Sequence, residues 1–516
     1  MHPLARQTST NGDQETNSIP QDGENQSRLV RSARAVLRHV KHHVGVGIIC
    51  SVAYFDPGNW SVDLQAGSEF GYRPLLFVVM LAGLGAIVLQ SLASKLGVVT
   101  GADLATHCRL LLHDRPKHRR LIRYTVLYPL YALSEIAIIS TDLAELLGSA
   151  IGLCLLFPAL PLWAGVLVTA GDVLIFLVLN GPSRYGKPAK LFELSIIVLV
   201  FAVFACFVVL LVKVHPDWGN AFLGFIPDKE LFDGHGNILY TAVGILGATV
   251  MPHALFLGSF LATQDRTGEH MPAPLPSPRE NNELRFIQAH LKHGIVDVVA
   301  SLLGLAVPIN AAILIVAAAV FFRDGAGSMV PAGLFDAYNL IVQHVGKAAG
   351  IIFALALLSS GQSSSITATL AGQVVSEGFI EWRISPFLRR LITRLIGLVP
   401  SMAVAIAVGK PGINTLLVAS QVALSIVLPF VAFPLIWLTS SKSIMRVRKP
   451  NHQREKPQQA SSEQVHEEVS TGAPHEEDEL IDFSNGPLLT AAASLIFVIV
   501  LAANMYVIII LALGRA

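Results

Sequence analysis

Eleven runs of apolar residues, most of them about 20 residues long, punctuate this chain, and few folds can accommodate that pattern. A helix of that length crosses the roughly 30 Å hydrocarbon layer of a bilayer. Inside lipid every backbone N–H and C=O must find its partner within the protein, so each run is expected to be helical. The runs lie near 44–68, 74–97, 124–150, 162–180 and 191–213, then near 238–262, 294–321, 348–371, 387–408, 412–439 and 486–514. Of 516 residues, 53% are hydrophobic and only 14% charged, whereas soluble domains carry about 25% charged residues. The expected class is an all-α integral membrane protein with 11 transmembrane helices.

Lysine and arginine set the orientation, because they are retained on the cytosolic side. Loop 98–123 holds Arg109, Arg115, Lys117, Arg119, Arg120 and Arg123, and loop 181–190 holds Arg184, Lys187 and Lys190. Loop 441–456 adds Lys442, Arg446, Arg448, Lys449, Arg454 and Lys456. The alternate loops are poor in both: 153–161 has none, and 214–237 sets Lys229 among Asp217, Asp228, Glu230 and Asp233. The N-terminus is therefore expected in the cytosol, and the short C-terminus after span 486–514 outside it. Residues 1–43 read as a disordered cytosolic tail with no apolar leader, ending in a basic juxtamembrane segment (Arg28, Arg31, Arg34, Arg38, Lys41). Residues 263–290, with Pro272, Pro274, Pro276 and Pro278, and residues 440–485, which turn from basic to acidic, read as cytosolic linkers, the second disordered. Cys50, Cys108, Cys154 and Cys206 match no zinc or redox spacing and are expected as buried thiols.

Two of the spans are broken at matched places. The first contains Ala53-Tyr54-Phe55-Asp56-Pro57-Gly58-Asn59, and the sixth contains Ala248-Thr249-Val250-Met251-Pro252-His253. Each reads alanine, two residues, a ligand-type side chain, then proline, and each heads a set of five spans. Five spans put the two copies in opposite membrane orientations, the 5+5 inverted repeat of many secondary transporters, here 44–213 and 238–439. Pro57 and Pro252 each remove a backbone donor, freeing carbonyls near Ala53 and Ala248, and Gly58 loosens the first break further. Such carbonyls are tolerated at membrane depth only inside protein or along a cavity, where a cation is a natural partner. Asp56 facing lipid would cost roughly 2.5–3.5 kcal/mol, so it too needs a partner. Asp56 offers a hard anionic oxygen, Asn59 a neutral one, and Met251 a soft thioether. That set suits Mn(II), Fe(II) or Co(II) and offers little to Ca(II) or Mg(II).

At these residues the chain resembles the Nramp (natural resistance-associated macrophage protein) family of proton-coupled divalent-metal transporters. The resemblance rests on Asp56-Pro57-Gly58-Asn59 and on Ala248-Thr249-Val250-Met251-Pro252-His253. Ser140-Thr141-Asp142-Leu143-Ala144-Glu145, Gly361-Gln362-Ser363-Ser364-Ser365, Ala371-Gly372-Gln373, Ser420-Gln421-Val422 and Leu428-Pro429-Phe430 reinforce it in family order from about 44 to 440. It implies a LeuT-like fold, alternating access, and uptake of manganese or iron(II) toward the cytosol with protons, without a permanently bound cofactor. It also implies a metal site of Asp56, Asn59 and Met251 with the carbonyls of Ala53 and Ala248, joined in some states by Gln421. His253 resembles the family's sixth-span histidine, linked to proton coupling or conformational change. Many members carry a second histidine five residues on, where this chain has Gly258 in a Leu257-Gly258-Ser259 form similar to fungal members.

Glu135, Asp142 and Glu145, spaced seven and three apart, share one face of the third span. An acidic stripe in a membrane marks either a proton relay or ion pairs that hold helices together, and Arg389, Arg390 and Arg394 are candidate partners. Metal binding needs anionic Asp56, and an empty, desolvated carboxylate is costly. Asp56 is therefore the expected proton acceptor, with Asp142 and Glu145 passing the proton on. Asp63, Asp103, Asp172, Glu193, Asp297 and Glu377 read as snorkelling or capping groups, and Asn310 and Asn504 as interhelical amides. An organic-solute carrier of the same fold would need helix-end donors for a carboxylate and leaves Met251 unexplained. A non-transporting sensor would want a folded signalling domain. No nucleophile–base pair or phosphate loop suggests an enzyme, and nothing suggests a nucleic-acid partner. Metal preference, membrane (endosomal, vacuolar or plasma) and oligomeric state stay open.

Overall fold

Helix is the default wherever apolar sequence must pair its own backbone, and the computed structural model is mostly helical. It describes residues 46–179, 190–231, 238–265, 280–322, 333–382, 385–449 and 480–513. The expectations for tail 1–43, for most of loops 181–190 and 440–485 and for half of 263–290 fall outside those residues. So do the side chains of Asp172, Glu193 and Arg390.

The first apolar run folds as two helices, α1 (Val46–Val52) and α2 (Pro57–Phe70). They are followed by α3 (Leu75–Thr100), the short α4 (Leu104–Leu112), α5 (Tyr128–Leu156), α6 (Leu162–Leu179) and α7 (Lys190–Val214). The sixth run is likewise split, into α8 (Ile238–Thr249) and α9 (Pro252–Leu261). Then come α10 (Leu284–Ser301), α11 (Val307–Phe321), α12 (Leu334–His344), α13 (Lys347–Ile380), α14 (Pro386–Ala407), α15 (Lys410–Ser440) and α16 (Pro487–Ala512). Among the described residues, nine helical segments are long and apolar enough to cross a membrane. The remaining two apolar runs are the broken α1–α2 pair and the 18-residue α6. Helices α7, α14 and α16 turn large apolar side chains outward, among them Val198, Val212, Val399, Leu495 and Ile509. Water would penalise that surface, and a lipid-facing one requires it.

Two linkers are shorter than expected. Residues 284–290 already belong to α10, whose span runs without interruption to Phe321 through a π-helical turn at Leu302–Ala306. Leu284 and Ile287 are buried at helical spacing, which draws the helix start back from 294. At the ends of 440–485, strands Arg446–Arg448 and Leu480–Asp482 pair antiparallel, with Arg446 opposite Asp482. Asn281 ties this ribbon down by donating to the Ile444 and Arg446 carbonyls at 2.7 and 2.8 Å. Cys50, Cys108 and Cys154 are buried and Cys206 is half-buried, none of them in a disulfide among the described residues.

Helix α2 is seated by shape. Trp60, fully buried, packs edge-on to Phe207 of α7 at 4.7 Å and against Phe353 of α13 at 5.5 Å. On its other side Pro57 meets α5 at Gly148, where an added Cβ would lie 2.0 Å from the proline Cβ. Because a proline ring cannot swing aside, Gly148→Ala is expected to destabilise the protein by about 1–3 kcal/mol, as overpacking does. A lowered thermal midpoint of the purified variant checks this.

Candidate metal centre

Both breaks follow from proline placed four residues after alanine. Pro57 has no N–H to return to the Ala53 carbonyl, and Pro252 none for Ala248. Between α1 and α2 the chain leaves the helix at Ala53–Asp56, and between α8 and α9 at Val250–Met251. Asp56, in extended conformation, caps α2 by accepting from Gly58 N at 3.2 Å and Asn59 N at 3.0 Å. Met251, also extended and fully buried, heads α9 without a side-chain capping bond. Its side chain is therefore not committed to the backbone.

Asn59 brings the two breaks together. Its Nδ2 donates to Asp56 Oδ1 at 2.6 Å and to the Ala248 carbonyl at 2.8 Å. Two electron-rich oxygens, one from each half of the chain, thus converge on one donor group. A divalent cation coordinated by those oxygens would draw in Asn59 through its amide oxygen instead. Gln421 of α15 closes the same space: an added Cβ at Gly58 would lie 1.8 Å from Gln421 Nε2. Its Oε1 is buried and accepts no hydrogen bond from the described residues. Asp56, Asn59, Met251, Ala248 and Gln421 are each at most 1% exposed, so the centre is shut off from both ends of the bundle.

The unwound segment between α1 and α2 is held by side chains for which the sequence implied no place at the centre. Asn310 of α11 donates to the Tyr54 carbonyl at 2.7 Å and lies 3.4 Å from Asn59 Oδ1. It makes the interhelical bond expected of it, but at the centre itself. Ser360 donates to the Phe55 carbonyl at 2.6 Å, Ser364 to Val52 at 3.3 Å, and Trp60 Nε1 to Phe55 at 3.0 Å. A signal for Ser364 was present in the polar Gly361–Ser365 run within an otherwise apolar span, and Ser360 immediately precedes that run. Asn310 had none, being a single amide.

The acidic stripe meets its arginines. Arg389 pairs with Glu135 at 2.7 Å, and Arg394 with Asp142 at 3.5 Å, both members of the second pair being at most 2% exposed. Arg394 also bonds Ser365 and the Asp142 carbonyl. His253 Nδ1 lies 3.2 Å from Thr141 Oγ1, the residue before Asp142, and its Nε2 is buried without a hydrogen-bond partner among the described residues. His253, just past the second break, thus meets α5 at the residue beside Asp142, which itself pairs with Arg394. Glu145 is fully buried on the same helix. Asp103 caps α4 through Thr106 N at 2.9 Å, and Asp297 accepts from Gly47 N at 2.7 Å, as capping groups do. Asp63 differs: it is 1% exposed and its Oδ2 is buried without a partner, so snorkelling does not describe it. It lies one turn past Asn59, in the stretch of α2 from Pro57 to Leu64 in which every residue is buried. Among the described residues, no three His, Cys, Asp or Glu side chains cluster as a metal site, so any ion here rests on mixed ligands.

A helical membrane bundle whose two discontinuous helices meet at mid-depth is the architecture of LeuT-like secondary transporters. Residues 47–454 match the natural resistance-associated macrophage protein-like (Nramp) family, and the chain belongs to that family. It is 44% identical over 419 residues to the manganese transporter pdt1 of Schizosaccharomyces pombe, covering 80% of this chain and 77% of that one. To the iron transporter SMF3 of Saccharomyces cerevisiae it is 39% identical over 487 residues, covering 94% and 99%. A crystal structure of the Eremococcus coleocola manganese transporter, bound to an aromatic bis-isothiourea compound, superposes with a TM-score of 0.70 at 30% identity, over 90% of this chain and 86% of that one. Mhp1, a nucleobase-cation-symport-1 family transporter in a closed conformation, shares the fold alone, with a TM-score of 0.51 at 12% identity over 77% and 78%.

Proposed function

We propose that this chain is a proton-coupled secondary transporter that moves manganese or iron(II) toward the cytosol by alternating access. The observation that carries the reading is the Asn59 amide bridging Asp56 Oδ1 and the Ala248 carbonyl, one oxygen from each broken helix. In this reading the ion is held by Asp56, Asn59, Met251 and the carbonyls of Ala53 and Ala248, with Gln421 joining as the bundle rearranges. Residues 44–213 and 238–439 act as the two inverted repeats. Because the centre is closed on both sides, each cycle must open it first to one face and then to the other. The N-terminus faces the cytosol, and the membrane is endosomal, vacuolar or plasma. Kinship with a manganese transporter and an iron transporter supports both ions as substrates. Proteoliposomes carrying manganese- and pH-sensitive dyes test it: Mn(II) uptake should be accompanied by proton entry and withstand excess Ca(II) and Mg(II). Uptake without proton movement would reject the coupling.

The proton route in this reading leaves Asp56 through His253 and continues through Asp142 and Glu145, with Arg394 and the Glu135–Arg389 pair setting the local charge. Asp142→Asn should cut metal-driven proton entry by on the order of 100-fold, the usual weight of a proton-transferring group, while Mn(II) binding persists. It should also cost stability, about 3–5 kcal/mol, because Arg394 is left buried without its counter-charge. Proton entry and uptake falling together, in proportion to the folded fraction, would reduce Asp142 to an ion-pair partner.

A further inference from the structure

The side chain of Gln90 is spent on three elements at once. It lies in α3, fully buried, and its Oε1 accepts from the Tyr54 hydroxyl at 3.0 Å while its Nε2 donates toward Cys50 Sγ at 3.2 Å. Cys50 belongs to α1, and Tyr54 to the unwound segment that follows it. The third element is α9. A Cβ at Gly258 would lie 1.6 Å from Gln90 Nε2, 2.8 Å from its Cδ and 3.3 Å from its Oε1. The amide thus occupies the volume that any side chain at 258 would claim. In the family resemblance, 258 is where many members carry a histidine; here that space has passed to Gln90.

The consequence lies one residue from the centre. Tyr54 is pinned at both ends, its hydroxyl by Gln90 and its carbonyl by Asn310 at 2.7 Å. With Tyr54 fixed, the preceding peptide, which carries the Ala53 carbonyl, loses its freedom to rotate. We propose that Gln90 is a positioning residue for metal binding, holding the unwound segment through Tyr54, and that glycine at 258 is the condition for its doing so. The inference rests on the reading of Ala53 as a ligand.

Because Gln90 ends in a flexible amide, Gly258→Ala need not disrupt packing; it displaces the amide and breaks its bonds. Mn(II) uptake kinetics in proteoliposomes should therefore show Gln90→Ala and Gly258→Ala each raising KM about fivefold, the range for one or two lost buried hydrogen bonds, with kcat within about twofold. Tyr54→Phe, which removes only the hydroxyl, should match them and serves if Gln90→Ala fails to fold. In the Gln90→Ala background Gly258→Ala should add nothing, since no amide remains to displace. The proposal is overturned if Gly258→Ala behaves as wild type, if the two effects multiply, or if the loss falls on kcat with KM unchanged. Asp56→Asn measured alongside separates the two readings: wild-type uptake there would sink the metal centre itself, whatever the cycle shows.

Discussion

Asp56→Asn should abolish Mn(II) uptake, lowering it by more than about 100-fold, a larger loss than removing a group that only supports a ligand. The substitution isolates charge from architecture. Asparagine caps a helix about as well as aspartate, so the bonds from Gly58 N and Asn59 N survive, and stability should change by less than about 1 kcal/mol. What disappears is the anionic oxygen at the centre. Among the described residues no other carboxylate is hydrogen-bonded to either break, and neutral oxygens alone do not offset the desolvation of a divalent ion. Uptake measured per folded protein, with thermal stability as the control, decides the point. Retained uptake would mean that the ion takes another path.

Met251→Ala should alter selectivity more than turnover. A thioether adds affinity for softer ions and none for Ca(II), which wants six or more oxygens. Removing it should let Ca(II) compete with Mn(II) about tenfold better, equivalent to 1.4 kcal/mol of lost preference. Because truncating a buried side chain opens a cavity, Met251→Leu is the companion variant: it conserves volume, removes the sulfur and should shift selectivity in the same direction. Equal exclusion of Ca(II) by wild type and both variants would take selectivity away from Met251.

What could be read in the chain beforehand was whatever has a local chemical signature. Pro57 and Pro252 announce the breaks because a missing N–H four residues after alanine has the same consequence in any context. Glu135, Asp142 and Glu145 were legible as a face because helical spacing alone aligns them. Asn310 was not legible as part of the centre, because its partner Tyr54 lies 256 residues away and a single amide carries no pattern. Gly258 could be noticed only as a departure from a family; that Gln90 fills its place is a fact of packing. Helix α10 starts at Leu284, nearly three turns before the apolar run at 294, because residues 284–293 alternate buried Leu284, Ile287 and His290 with polar neighbours, which hydropathy scores as loop. The ribbon at 446–448 and 480–482 was invisible for a related reason: three-residue strands with arginines pointing outward look like any charged linker.

The central claim, a carboxylate and a thioether on one ion, is tested most directly by X-ray absorption at the cadmium edge, Cd(II) being a soft reporter for this ligand set. The wild-type protein should show one sulfur neighbour among oxygens, and Met251→Leu a shell of oxygens only. Oxygens alone around cadmium in the wild type, or a sulfur that survives the substitution, would contradict the account.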